Sequence, residues 1–225
     1  MLAFPSIGTS VPQPAPDDLD YAMLKAAMEF SQQIYATHGG MPPVAMVQLP
    51  PQPDGKIMHM VMPCDKMTTA DEKRRFIQSV HYAELEHNGH RSCLVAESWQ
   101  VITTDPVKSQ LLEEIRSRGG SLSEHPDAVE VVSITVQSDN GYLAQGMRLH
   151  RHHANFVELE PIDTPSFSGN DYQGSPAGRM TGHHVPTSIR STPQIKQYHA
   201  ELRQMFKLET LLEGASDSEN RQMQN

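Results

Sequence analysis

Histidine is the residue whose number and spacing first suggest chemistry in this chain of 225 residues, which contains twelve of them. His81, Glu84 and His87 recur every third residue in a segment whose apolar period predicts a helix. Imidazole and carboxylate groups at this spacing can share a helix face and bind a divalent metal. The series drifts around the helix and does not match HExxH, so a solvated helix end rich in acids and histidines is the alternative.

A second pair of histidines falls on a segment that alternates like a β-strand. His150 and His152 would share one strand face and supply half of a metal site. The sequence offers no evident third ligand, so an exposed strand end is the competing interpretation. His183 and His184 follow a long polar stretch and are expected to be exposed to solvent.

Glu97 is a candidate catalytic residue because it shares a strand face with apolar residues. Simple alternation places it on one strand face with four other residues: Cys93, Val95, Trp99 and Val101. If that face belongs to the core, the carboxyl group is buried and requires a partner or a raised pKa, as catalytic carboxyls often do. The alternative is that this face is open, or that Glu97 pairs with an arginine.

His125 and Asp127 are the other catalytic candidates. They would line a groove beside Glu97. They lie with Ser123 in a short polar segment before a predicted hairpin. A serine, a histidine and an aspartate so close in sequence do not form a catalytic triad, because triad members converge from separate elements. A polar turn that begins the strand is the alternative.

Composition narrows the classes of function. The net charge of −9 disfavours nucleic-acid binding, which needs an excess of Lys and Arg. No stretch approaches the roughly 20 apolar residues that span a bilayer, and no signal peptide is expected at 1–16. The two cysteines, Cys64 and Cys93, favour reduced thiols in a cytoplasmic protein. The GxGxxG, P-loop, GxSxG and CxxC motifs do not occur.

The order of elements predicts an α+β fold in a single domain at 17–162. Helices are expected at 17–38, 69–87 and 105–118, and strands at 44–49, 56–62, 91–102, 128–137, 142–150 and 155–160. Consecutive hairpins favour a mostly antiparallel sheet of about five to six strands, with the helices on one face. The strongest local signals are a capping box at Thr69 and Glu72 and the hairpin turn at Asn140 and Gly141.

The flanking segments have a different composition. We expect a disordered lead-in at 1–16, a disordered linker at 163–191, a separate amphipathic helix at 192–214 and a polar tail at 215–225. One side of that helix is apolar and carries the candidate partner-binding residues: Ile195, Tyr198, Leu202, Met205 and Phe206.

A short set of motifs resembles a group of bacterial and phage proteins that have no assigned activity. It consists of Glu97-Ser98-Trp99, then the segment from Ser123 to Asp127, then Val131-Val132 and a hairpin tipped by glycine. The similarity covers roughly residues 70–160. It implies a bacterial or phage setting and no particular reaction.

Two hypotheses of function follow. The leading one is an accessory protein without catalytic activity that binds a macromolecule, either another protein or a second copy of itself, through the helix at 192–214. Packing of that helix on its own domain is the alternative interpretation. The competing hypothesis is a metal-dependent hydrolase that uses Glu97 and some of the histidines, and it requires these groups to converge.

Overall fold

Four helices and seven strands make up the part of the chain that the computed structural model describes, which is residues 15–64, 67, 69–101, 103, 105–153, 156–162, 166–168 and 183–222. The helices are α1 Asp18–His38, α2 Ala70–His87, α3 Pro106–Ser117 and α4 Pro193–Gln222. The strands are β1 Val44–Gln48, β2 His59–Pro63, β3 Arg91–Val101, β4 Ala128–Ser138, β5 Gly141–His153, β6 Phe156–Pro161 and β7 Ser166–Ser168.

Local capping signals set the limits of the first two helices. Asp17 caps α1 and forms a capping box with Asp20, and Gly39 ends the helix in the left-handed conformation. Thr69 and Glu72 form the expected capping box of α2, which Asn88 ends with a φ of 52°. The sequence-based limits of both helices are therefore confirmed.

The strands form one antiparallel sheet in the order β2-β1-β3-β4-β5-β6, with β7 paired to β5. The longest pairing joins β3 to β4, from Arg91 opposite Ser138 to Val101 opposite Ala128. The predicted α+β class and antiparallel sheet are confirmed. Because β1 pairs with β3 only as far as Val95, residues 96–101 of β3 extend beyond it.

Helices cover both faces of the sheet, which corrects the expectation of helices on one face. α1 packs over one face, where Val44 and Met46 of β1 enter the core with Val95 and Ile134. α2 packs over the other face, where Ala45 and Val47 of β1 are buried. All five residues of β1 are buried, so each face needs a cover. We call these faces the α1 face and the α2 face.

The segment at 183–190 packs against the body of the protein, although the sequence places it in a disordered linker. His183, His184 and Val185 are buried, and a 3-10 helix follows at Thr187–Ile189. β7 also falls within the predicted linker. We call residues 183–190 the strap. Residues 1–14 of the predicted lead-in at 1–16, and residues 163–165 and 169–182 of the predicted linker, lie outside the described residues.

The C-terminal helix is not separate. α4 packs against α2, with Leu202 buried and the ring of Phe206 stacked on Tyr82. Polar contacts support this packing, because Arg203 and His199 both contact the carboxylate of Glu86. In the part of the chain that the structure describes, no helix is long and apolar enough to cross a bilayer.

Candidate functional site

Glu97 lies where β3 extends beyond β1, and its side chain is 35% exposed. The hydroxyl of Tyr35 donates a 2.6 Å hydrogen bond to its Oε1, and the Arg151 guanidinium lies 3.7 Å from the same oxygen. Burial, and then the hydrogen bond to this carboxylate, raise the pKa of Tyr35 well above its usual value. The alternative interpretation of Glu97, an open position with an arginine partner, is the one observed.

Arg151 connects this end of the sheet. Its Nη2 and Nε donate hydrogen bonds of 3.0 and 3.2 Å to the two carboxylate oxygens of Glu130, and its Nη1 donates to the backbone oxygen of Gly39 at 3.0 Å. The hydrogen bond to Glu130 raises the pKa of Arg151. The sequence does not single out Arg151, because its partners Gly39 and Glu130 lie 112 and 21 positions away along the chain.

Trp99 is the exposed aromatic residue beside these charges. It lies opposite Glu130 in the pairing of β3 with β4, so both side chains point to the α1 face, as Glu97 does. Trp99 is nevertheless 42% exposed, because β1 stops opposite Val95 and α1 ends at His38. We call Trp99, Glu97, Glu130 and Arg151 the Trp99 surface.

His125 and Asp127 form a structural clasp away from Glu97. The His125 ring is buried; its Nε2 donates to the backbone oxygen of Lys108 at 3.0 Å, and its Nδ1 accepts from the Asp127 N–H at 3.1 Å. Asp127 also pairs with Lys108 at 2.8 Å. The strand β4 begins beside Asp127, opposite Val101, which is four residues or roughly 13 Å along β3 from Glu97. The three catalytic candidates are not brought together.

The metal candidates on α2 lie in three different surroundings. Nδ1 of His81 lies 3.0 Å from the Tyr198 hydroxyl, and His87 is exposed. Glu84 is fully buried and contacts the strap. Among the described residues, no group of three or more His, Cys, Asp or Glu side chains has the geometry to hold a metal ion.

The histidines of β5 also pair with separate acids. Nε2 of His150 lies 3.1 Å from Glu160, and Nε2 of His152 lies 3.2 Å from Glu158. Both acids are on β6, and the two imidazole rings stack with centroids 6.3 Å apart. This arrangement matches the exposed strand end that was the alternative interpretation.

A buried polar network that the sequence did not indicate holds the strap. The side chain of His184 is fully buried, with Nδ1 at 2.9 Å from Glu84 and Nε2 at 3.1 Å from Asp139. Glu84 also accepts a 2.7 Å hydrogen bond from the Val185 N–H, and Asp139 accepts one of 2.8 Å from the Thr187 N–H. These hydrogen bonds satisfy side chains that would otherwise be costly to bury.

His183 occupies a second buried position under the strap. Its Nδ1 lies 2.8 Å from the hydroxyl of Ser92, which also donates to the His183 backbone oxygen at 3.0 Å. Burial, together with the nearby His184 and His81, lowers the pKa of His183 to about 3. The ring is therefore neutral at pH 7. The expectation that His183 and His184 are exposed is wrong.

Some of the residues on α4 that are predicted to bind a partner contact α2 instead. Leu202 is buried, Phe206 stacks on Tyr82, and the Tyr198 hydroxyl contacts His81. Ile195 and Met205 are half-buried. The apolar side of the helix is thus engaged within the chain, as the alternative interpretation expected. Partner binding through these five residues stays a prediction.

Comparison with known proteins places the chain in no family. No family model, no curated protein and no solved structure matches it. The resemblance to bacterial and phage proteins therefore rests on the short motifs of the sequence, and any function has to be argued from the geometry.

Proposed function

We propose that this chain is a cytoplasmic accessory protein of bacterial or phage origin that binds another protein and catalyses no reaction of its own. The observation that carries the proposal is Trp99, which is 42% exposed beside an unpaired stretch of sheet edge. Tryptophan and arginine are the residues most enriched in the energetic centres of protein interfaces. The Trp99 surface holds one of each.

The adjoining edge of β3 supports binding of an extended segment. Residues 96–101 pair with β4 on one side, and none of the described strands pairs with them on the other. An extended peptide can add to such an edge through backbone hydrogen bonds, with pockets for alternate side chains giving specificity. Here Trp99 would offer its ring to an apolar side chain of the peptide on the α1 face.

The charges of the Trp99 surface indicate the chemistry of the partner. Glu97 and Glu130 are countered by one guanidinium, that of Arg151. The surface therefore has a net negative charge, in a chain whose net charge is −9. An extended segment with an apolar residue flanked by lysine or arginine would complement it.

No observation in the described residues favours the metal-dependent hydrolase. That hypothesis requires Glu97 and imidazole groups to converge, whereas the contacts of Glu97 are with Tyr35 and Arg151. The carboxylate is held by a hydroxyl and a guanidinium, which is typical of a structural ion pair at a surface.

The test is selection of peptides from a random 12-residue display library on the full-length protein. We expect enriched peptides with an apolar residue beside basic ones, and at least a tenfold loss of affinity on the Trp99→Ala variant. Val107→Ala is the matched control, because Val107 is an apolar residue on α3 that is 75% exposed. Failure to enrich peptides, or equal binding to the Trp99→Ala variant, would overturn the proposal.

A second arm tests addition to the sheet edge. N-methylation of alternate residues along one edge of a selected peptide removes the hydrogen bonds of that edge alone. We expect one of the two alternating sets to abolish binding and the other to leave it within about threefold. Equal effects of the two sets would contradict the pairing with residues 96–101.

A further inference from the structure

β2 is the end strand of the sheet, and its outer edge is open in the residues that the structure describes. It pairs with β1 from Val44 opposite Pro63 to Gln48 opposite His59, without a register shift. An exposed regular edge is a template for pairing with another chain, and natural proteins usually block one with charges, proline or a bulge, of which β2 has only Pro63, its last residue. His59 is the one titratable residue on β2.

Apolar side chains are exposed along the same edge. Val61, at the centre of β2, is 42% exposed, and Ile57 and Met58 are exposed just before the strand. On the α2 face, Met60 and Met62 pack against the core formed with Phe76 and are half-buried. A neighbouring strand at this edge would therefore bury apolar surface on both faces.

The opposite end of the sheet, β6, is acidic and irregularly paired. β6 carries Glu158 and Glu160, which are both exposed, and its pairing with β5 contains a register shift between Arg151 and His153. Pairing of β6 with its own copy would bring carboxylates of two chains together at an irregular edge. Of the two ends, β2 is the one suited to self-association.

We propose that β2 pairs antiparallel with β2 of a second copy, which joins two sheets into one across a twofold axis. An antiparallel pair of identical strands is self-complementary, as a symmetric dimer requires. With the axis at Val61, this residue faces its own counterpart, Met60 faces Met62, and His59 faces Pro63. In this register, no two carboxylates and no two ammonium groups face each other within β2.

The overall charge gives the dimer a distinctive salt dependence. Each chain carries a net charge of −9, so two copies repel each other at long range. The edge contributes no attractive ion pair, because β2 has no Lys, Arg, Asp or Glu and Lys56 of the preceding loop pairs with Asp54 of its own chain. Added NaCl screens this repulsion, so dimerisation increases with salt.

The test is sedimentation velocity of the full-length protein from 1 to 500 µM, in 50 and 500 mM NaCl. We expect a concentration-dependent dimer with a dissociation constant at least threefold lower at the higher salt concentration. Val61→Lys should abolish the dimer at both salt concentrations, since the substitution places two ammonium groups at the twofold axis. Val107→Lys is the control at an exposed apolar site on α3 and should leave the dimer intact.

Disulfide trapping tests the register. In a Cys64→Ser background, Val61→Cys should form a covalent dimer under mild oxidation, because facing residues of an antiparallel pair have Cα atoms about 4.5–5.5 Å apart, within the range that a disulfide spans. Lys56→Cys places a thiol outside β2 and should form little covalent dimer. A monomer at every concentration, a dimer that survives Val61→Lys, or equal trapping at both cysteine positions would overturn the proposal.

Discussion

The carboxylate of Glu84 accepts a 2.7 Å hydrogen bond from the backbone N–H of Val185, which lies 101 residues further along the chain. Glu84 is fully buried on α2, and its other oxygen lies 2.9 Å from Nδ1 of His184. Arg190 lies 3.7 Å from the same carboxylate and donates to the Val185 backbone oxygen. One side chain of α2 thus anchors the strap that precedes α4.

Replacing Glu84 by alanine should destabilise the protein by about 3–5 kcal/mol, because it leaves Nδ1 of the buried His184 and the half-buried Arg190 without this carboxylate. Urea unfolding would measure the loss, and limited proteolysis should show earlier cleavage within residues 183–190. Glu113→Ala is the control: Glu113 forms an exposed pair with Arg116, and its loss should cost less than about 1 kcal/mol. Equal effects of the two variants would contradict the anchoring role of Glu84.

Leu202→Ala should destabilise the protein by about 2–5 kcal/mol, because the side chain is buried in the contact between α4 and α2. Near-UV circular dichroism should also change, since Tyr82 and Phe206 stack in the same contact. Gln204→Ala, at an exposed position on the same helix, should alter neither property by a measurable amount. An unaffected Leu202→Ala variant would return α4 to the role of a helix that is available to a partner.

The elements that could be predicted are those whose signals are local. The capping box of Thr69 and Glu72 and the β-branched composition of β4 are read within a few residues, and the structure has both the capped helix and the strand. The cover on both faces was not predicted, although the unbroken apolar run of β1 is typical of a strand buried on both sides.

The strap and the Trp99 surface could not be predicted because they depend on distant residues. The strap is held by Glu84 and Asp139, 100 and 45 positions before His184, and its own sequence has no apolar period. Trp99 shares a face with buried Cys93 and Val95, and its exposure follows from where β1 begins. Strand alternation specifies the face, and the neighbouring strands decide how much of it is covered.

His183 should make stability depend on pH between 7 and 5. Burial lowers its pKa to about 3, whereas an unfolded histidine titrates near 6.5, so the unfolded state binds more protons in this range. The stability contributed by the neutral ring is complete above about pH 6.5 and is lost as the pH falls towards 3. From pH 7 to 5 the free energy of unfolding should fall by about 2 kcal/mol. The fall approaches about 1.4 kcal/mol per pH unit below pH 6.5.

The measurement is urea unfolding of the native protein and of His183→Gln at pH 7, 6 and 5. The variant has a lower stability at pH 7, because the contacts with Ser92 change, but the difference between the two proteins should shrink by about 2 kcal/mol at pH 5. The ring resonances of His183 should show no titration by NMR above pH 5. A constant difference between the two proteins would mean that His183 is not a buried neutral group.

The two cysteines should differ sharply in reactivity. Cys93 is completely buried between α1 and the sheet, and burial raises the pKa of its thiol well above the usual value, so little thiolate forms. Cys64 is half-buried just after β2, and neither cysteine forms a disulfide. Titration with a chromogenic disulfide reagent at pH 8 should therefore give one rapid equivalent per native chain and two in denaturant. Cys64→Ser should remove the rapid equivalent and Cys93→Ser should retain it; two rapid equivalents in the native protein would contradict the burial of Cys93.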